Sequence, residues 1–399
     1  MRIASVNISD YGSTGRIMLQ LSEAVRNSGN RAVSFSRNWW KHADAPDHCY
    51  FGYKTEHLMH HALGYLTGRE GSFSYFSTAD LVDRLREFQP DILHLHNLHG
   101  WYINLSLLFG YIKQSKVKVI WTLHDCWPFT GHCPYFDYVG CGKWTEGCRD
   151  CPQISGYPQS LPDNSAVMYE KKKECFTGVE DLTVVCPSHW LAELAGRSFL
   201  GGYDIRVIHN GIDTSVFRRI PSEFRSSHGI KEEDKLILGV ASGWEERKGI
   251  DVFPVIRDVL GSGYRIVLVG VGGESRHGLD GIIPIGLTSD QEKLAEIYSA
   301  ADVFVNPTRE DNYPTVNLEA ISCGTPVVTF DSGGSAETIP PGCGISVAKD
   351  DTAAMTDAII TVCGDSPRFQ KACIASADSL SMGNMISQYL SLYEEVINR

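Results

Sequence analysis

Along this chain short apolar runs alternate with amphipathic stretches of helical period, and the alternation occurs twice. Runs at 2–8, 91–95 and 116–123 read as strands, with helices expected at 16–27 and 79–88. After a polar, charged stretch near 221–235 the pattern restarts, with strands at 236–240, 265–269, 303–306 and 326–329 and helices at 251–260, 292–299, 316–322 and 352–362. Strands alternating with helices imply a parallel sheet with helices on its faces. A chain of 399 residues, 43% of them apolar, can fill two cores, because single cores seldom grow far past about 200 residues. The expected class is α/β, with Rossmann-like, doubly wound domains at 1–212 and 213–378 and a helical segment at 379–399 packing back on the first. Ligands of such sheets sit at the carboxyl ends of the strands, so the chemistry is sought in post-strand loops lining a cleft between the two domains.

Charge narrows the partners. Lys and Arg total 36 against 48 Asp and Glu, a formal net charge of −12, and no basic block stands ready to neutralise a run of phosphates. Nucleic-acid binding is excluded on that ground. The opening MRIASVNISDYGSTG reads as strand and glycine turn rather than as a leader with a cationic start and long apolar run, so a cytoplasmic location is expected. No stretch approaches the roughly 20 apolar residues of a membrane span, and any contact with a membrane would be peripheral.

The richest stretch is NPTREDNYPTVNLEAISCGTPVVTFDSGGSAE at 306–337: a strand end, an acidic loop, and a helix opening beside Pro314. Proline suits a helix's first turn. Free N–H groups of Thr315, Val316 and their neighbours, with the helix dipole, make an anion site suited to a diphosphate. Asp311 and Glu319 are carboxylates able to accept from the hydroxyls of two different sugar rings. For Glu319 the alternative is a surface side chain, and for Asp311 a capping residue.

Asp311-Asn312-Tyr313-Pro314-Thr315-Val316 running on to Glu319, followed by A-I-S-C-G-T-P-V-V, resembles the E-x7-E region of the retaining family 4 glycosyltransferases, and the spacing from Asp311 to Glu319 matches. The IHNGIDTSVF at 208–217 and GVASGWEERKG at 239–249 agree with the same family in the same order. The resemblance implies the GT-B fold. It also implies that Asp311, in place of the family's first Glu, contacts the transferred sugar, that Glu319 contacts the ribose, and that the amides between them hold the diphosphate. The subgroup resembled is the colanic-acid type, which carries a similar Asp-Asn-Tyr-Pro. The family joins a Lys to an Arg five residues earlier on the diphosphate; here Lys248 matches the Lys and Gly243 stands at the Arg position. A fixed cation at the departing diphosphate acts most strongly in the transition state, which makes Lys248 the leaving-group electrophile. Arg247 is the candidate to replace the absent guanidinium, the alternative being an exposed arginine.

In the first domain GSTGR at 12–16 follows a strand and precedes a helix, a partial phosphate-loop signal in which Gly15 would let backbone approach a ligand. Two histidine-rich strand ends follow, HLHNLHGWYIN at 94–104 and TLHDCW at 122–127. His94, His96 and His99 read individually as satisfied core residues. Thr-Leu-His-Asp resembles the family's cleft histidine, which implies that His124 contacts the donor sugar, as a neutral or charged ring, with Asp125 orienting it.

Twelve cysteines are present, and five crowd between Cys126 and Cys151. Cys133-x7-Cys141-x6-Cys148-x2-Cys151 offers four thiolates, a tetrahedral zinc set. Two disulfides, disfavoured in a cytosol, and an iron–sulfur cluster are the competing readings. With four protein ligands no position is open to substrate, so the metal would be structural. The resemblance implies a role in shaping the acceptor side.

These readings converge on transfer of a sugar from a nucleotide-diphosphate donor to a glycan or lipid-linked acceptor in polysaccharide or exopolysaccharide assembly. The family likeness implies retention of configuration, no catalytic metal, and a departing phosphate that takes the acceptor's proton. A nucleotide-sugar epimerase of the same architecture is the enzymatic alternative, lacking an evident second acid/base set. A catalytically silent sugar-nucleotide or glycan-binding subunit is the non-enzymatic one.

Overall fold

Seven parallel strands build the first sheet: β1 (Arg2–Val6), β2 (Arg31–Arg37), β3 (His48–Phe51), β4 (Ile92–Leu95), β5 (Lys118–Thr122), β6 (Leu182–Cys186) and β7 (Asp204–Val207), in the order β3-β2-β1-β4-β5-β6-β7. The helices between them are α1 (Gly12–Asn27), α2 (Lys54–Thr67), α3 (Tyr75–Phe88), α4 (Leu105–Ser115), α5 (Ser165–Phe176) and α6 (His189–Arg197). The computed structural model describes residues 1–39, 45–272 and 278–399. Two compact units result, one formed by Met1–Ile208 with Ile386–Arg399 and the other by His209–Met385.

Strand order in the first unit reverses between β1 and β4, the point where a doubly wound sheet opens a crevice at its carboxyl edge. The loops leaving these two strands are tied together there: the Asn97 N–H donates to Asn7 Oδ1 at 3.2 Å, and the His96 N–H to the Val6 carbonyl at 2.9 Å. Covered on both faces, β4 is buried throughout, His94 included. Aromatic packing fixes the helical layer on β5, with Trp121 edge-on to Phe176 at 4.8 Å and Phe109 against Phe176 at 4.6 Å.

Six parallel strands build the second sheet: β8 (Lys235–Val240), β9 (Tyr264–Val269), β10 (Ile283–Ile285), β11 (Val303–Asn306), β12 (Val327–Asp331) and β13 (Gly344–Ala348), in the order β10-β9-β8-β11-β12-β13. Its helices are α7 (Phe224–Ser227), α8 (Val252–Leu260), α9 (Gln291–Ala300), α10 (Thr315–Ser322), α11 (Thr352–Gly364) and α12 (Ser366–Ser376). Here the order reverses between β8 and β11. The loops that follow these two strands carry Lys248 and Asp311, so topology alone places both candidates at one switch point.

The last helix, α13 (Met382–Ile397), carries the chain back into the first unit from Ile386 onward. It does so with polar contacts inside an apolar seam. Tyr393 OH lies 2.7 Å from His94 Nδ1, His94 Nε2 lies 2.8 Å from Thr122 Oγ1, and Thr122 Oγ1 lies 2.9 Å from Tyr389 OH. All four residues are buried, so each bond replaces one that water can no longer supply. Tyr393→Phe is therefore expected to leave one nitrogen of a buried ring unsatisfied and to lower stability by about 1–3 kcal/mol, read as a reduced midpoint in urea unfolding. Among the described residues no helix is long and apolar enough to cross a membrane.

Candidate functional site

In the second unit Lys248 ends a single 3-10 turn, Glu246–Lys248, after β8, and its Nζ donates to Asp311 Oδ2 at 2.6 Å. Both side chains keep about a quarter or less of their surface in solvent, so the pair is partly sheltered yet reachable. Arg247 turns the same way: its guanidinium holds Glu245 Oε1 at 2.7 Å and reaches the Glu310 carbonyl at 3.4 Å. Thus two cations, not one, lie along the acidic loop. Gly243 has open space around it.

The loop itself is clamped. Arg309 spans Asp251 at 2.7 Å and Asp350 at 2.6 Å. The Gly334 N–H donates to the Asp311 carbonyl at 3.0 Å. Gly333 has φ of +58°, and a Cβ there would stand 1.9 Å from the Asp311 carbonyl oxygen, so only glycine lets this turn press against the loop. Asn312 and Tyr313 are buried, and the Tyr313 ring stacks on His209 at 4.8 Å with an interplanar angle of 11°.

Pro314 occupies the position just before α10, with φ of −65°, rather than inside its first turn. Having no side-chain oxygen, it caps nothing, and the first turn carries no acid. The half-exposed Thr315 and Val316 therefore open α10 with backbone N–H groups that no capping side chain occupies, and with the positive end of the helix dipole. One turn further on, Glu319 is 7% exposed and accepts from Tyr298 OH at 3.1 Å. This is not a solvated surface glutamate; the surface alternative for Glu319 is set aside. Asn317, buried beside it, bridges Asn306 and Thr338 at 2.8 Å each, which fixes α10 to β11.

In the first unit His124 follows β5, partly exposed, with Nε2 3.1 Å from His96 Nδ1 and the two rings stacked at 5.4 Å. Burial lowers its pKa to about 4, against a smaller opposing pull from Asp125. At neutral pH it is a neutral imidazole, which decides between the two ring states left open above. The expected hydrogen-bonded partnership with Asp125 is corrected. Asp125 gives Oδ2 to His99 Nε2 at 2.9 Å and Oδ1 to the Trp127 N–H at 2.9 Å, so His96 is the hydrogen-bonding ring beside His124. His99 is completed by Tyr157 OH at 2.7 Å. Its pKa is moved down by burial and up by Asp125, with a net rise, so His99 and Asp125 form a buried ion pair. Gly15 lies in the first turn of α1, where a Cβ would meet the Asp10 carbonyl carbon at 2.6 Å; the backbone that approaches it is the chain's own. Cys133, Cys141, Cys148 and Cys151 are all free thiols.

Residues 14–216 match the model of Glycosyltransferase Family 4, and residues 234–365 that of the Glycosyl transferases group 1. The chain belongs to glycosyltransferase family 4. This family 4 chain is 29% identical to the putative colanic acid biosynthesis glycosyl transferase WcaC of Escherichia coli over 66% of its own length and 65% of that relative's. Its fold is that of solved GT-B-type enzymes from end to end. A sucrose-phosphate synthase from Thermosynechococcus elongatus superposes with a TM-score of 0.71 at 19% identity, covering 100% of this chain and 99% of that one. Anabaena HepE in complex with UDP superposes with a TM-score of 0.69 at 14% identity, covering 99% and 100%. The expected pair of doubly wound α/β sheets is thereby met in this family 4 glycosyltransferase.

Proposed function

We propose that this family 4 enzyme transfers a sugar from a nucleoside diphosphate donor to a glycan or lipid-linked oligosaccharide acceptor, with retention, in exopolysaccharide assembly. The observation that carries the reading is the meeting of Lys248, Asp311 and the uncapped start of α10 at the β8/β11 switch point. A diphosphate fits there because the amides of Thr315 and Val316 and the helix dipole favour negative charge, while Lys248 and Arg247 supply cations. Glu319, held from behind by Tyr298, is placed to accept from ribose hydroxyls, and Asp311 from those of the sugar.

In this mechanism, bond cleavage places charge on the β-phosphate, and Lys248 leaves Asp311 to meet it. On the first unit, His124 is a neutral ring able to hydrogen-bond a sugar hydroxyl. The departing phosphate oxygen takes the acceptor's proton as the new bond forms on the face it vacates, so no protein carboxylate need act as nucleophile. Similarity to WcaC and to UDP-bound HepE supports the polysaccharide setting and the nucleotide donor. For a lipid-linked acceptor the support is α2, which buries His57, His60 and Gly64 and turns Leu58, Met59 and Leu66 to solvent, an apolar face suited to peripheral contact with a membrane.

A thermal-shift series with UDP, GDP, ADP and CMP, each with and without its sugar, tests the donor. One nucleoside diphosphate should raise the midpoint, since a ligand at about 100 times its Kd adds roughly 2.7 kcal/mol to the native state. No shift with any nucleotide would overturn the donor reading. Conversion of a donor sugar to its epimer without acceptor would replace transfer by epimerisation.

A further inference from the structure

We infer that Arg309 is the positioning residue that fixes the turn carrying Lys248 beside Asp311, an inference that rests on the donor-site reading above. The turn, Glu246–Lys248, buries none of its three residues, so it has no apolar anchor of its own. It is gripped from outside, by the segment between β11 and Asp311. The Arg309 N–H donates to the Arg247 carbonyl at 2.9 Å, and the Arg309 guanidinium donates to the carbonyl of Glu246. Gly249, which ends the turn at φ of +76°, presses on the same segment: a Cβ there would stand 2.2 Å from the Pro307 carbonyl oxygen.

The guanidinium is itself anchored at two further points. Nη1 and Nη2 donate to the two carboxylate oxygens of Asp251 at 2.8 and 2.7 Å, and Nε donates to Asp350 Oδ1 at 2.6 Å. Asp251 stands at the capping position before α8 yet caps nothing with its side chain; its carboxylate is given to Arg309 instead. Asp350 holds a left-handed φ of +67°, uncommon for a residue with a Cβ. With the Glu246 carbonyl included, four of the five guanidinium N–H groups are in use, so Arg309 works through the turn and not as a phosphate ligand. A lysine, with one nitrogen, cannot reproduce this planar fork. The Asp251 and Asp350 side chains are 46% and 54% exposed, and ion pairs that open to water contribute little to folding. What the cluster supplies is geometry. When Lys248 leaves Asp311 for the diphosphate it gives up its own tether, and the Arg309 clamp then holds the turn in place. Misplacing a reacting or charge-stabilising group by about 1 Å can cost on the order of 10²-fold in rate.

Steady-state kinetics of wild type, Arg309→Lys, Lys248→Ala and the double variant test this link, with urea midpoints measured beside them. Turnover is read as nucleoside diphosphate released, with water as acceptor, from UDP-glucose, GDP-mannose or ADP-glucose, whichever raises the melting midpoint. Arg309→Lys should lower kcat by about 10- to 10²-fold, change the donor KM less, and leave the urea midpoint nearly where it was. In the Lys248→Ala background the same substitution should cost far less, since residues that act through one another are not additive. Because Arg309→Lys can fail to fold, Asp350→Ala, which removes one half-exposed arm of the clamp, is a second variant with the same expected coupling. Equal fold losses in both backgrounds, or unchanged turnover in the folded variants, would overturn the role given to Arg309. Wild-type turnover in Lys248→Ala would instead overturn the donor-site reading on which that role rests.

Discussion

Replacing Lys248 by alanine is expected to lower kcat for sugar transfer on the order of 10²–10³-fold, the effect of removing one preorganised charge at a developing anion. Folding should be nearly unaffected, because the Lys248–Asp311 pair is partly solvated and pairs of that kind contribute about 0–1 kcal/mol. The 2.6 Å contact gives this experiment a second arm. Without ligand Asp311 competes with the diphosphate for the ammonium. Asp311→Asn should therefore bind the nucleoside diphosphate as tightly as wild type or more tightly, while its sugar transfer falls. Lys248→Ala should weaken both. Calorimetric titration with the diphosphate, beside steady-state kinetics, separates the two. Unchanged turnover in Lys248→Ala would remove it from the site, and weakened diphosphate binding in Asp311→Asn would show that the carboxylate supports the phosphates rather than competing for their cation.

Below pH 6.5 the first unit should lose stability steeply. Burial lowers the pKa of His57 to about 4 and those of His60 and His94 to about 3, and it holds His96 well below the ordinary value. In the unfolded chain each of these rings takes a proton near pH 6.5. Between that value and the folded one, the unfolded state binds more protons, so stability rises with pH and falls on acidification. The slope is about 1.4 kcal/mol per pH unit for each histidine while its two states differ. Four such rings acting together would remove much of a typical stability of about 5–15 kcal/mol by pH 5. The His99–Asp125 pair behaves differently. The raised His99 contributes stability that is present below pH 6.5 and lost as pH rises through its folded value. The depressed Asp125 contributes above its unfolded value and loses this as pH falls through its folded one. Calorimetric melting at pH 7, 6 and 5 checks the sum. An unchanged midpoint across that range would mean that the histidines protonate within the native fold.

Period alone exposed the strands that matter most. The runs at 91–95, 116–123, 236–240 and 303–306 are β4, β5, β8 and β11, whose central residues are buried and, His94 apart, mostly apolar. α2 escaped notice for a physical reason: it buries histidines and a glycine and exposes leucines, the reverse of the pattern by which a helix is recognised. Of the site, Glu319 was legible through its eight-residue distance from Asp311. Three features were not. The contact of Lys248 with Asp311 joins loops 63 residues apart, the press of Gly333 on Asp311 depends on a turn of left-handed φ, and the choice of His99 over His124 by Asp125 is a matter of a few ångströms. Each is set by which strands become neighbours, and local spacing carries no record of that. Of His94, His96 and His99, each expected to be a satisfied core residue, His94 and His99 have a partner at both ring nitrogens, whereas among the described residues His96 Nε2 is buried without one.

One further consequence lies in the path of the chain. The first unit is written in two pieces, and the second piece, Ile386–Arg399, is translated only after every residue of the other unit. While a ribosome works through residues 209–385, β4 and β5 stand assembled at most in part, with the seat of Tyr389 and Tyr393 open to water and His94 lacking one of its hydroxyls. The second unit, contiguous in the message, can finish first. Maturation thus runs against the order of translation, and the half of the molecule made earliest is the half exposed longest to chaperones and proteases.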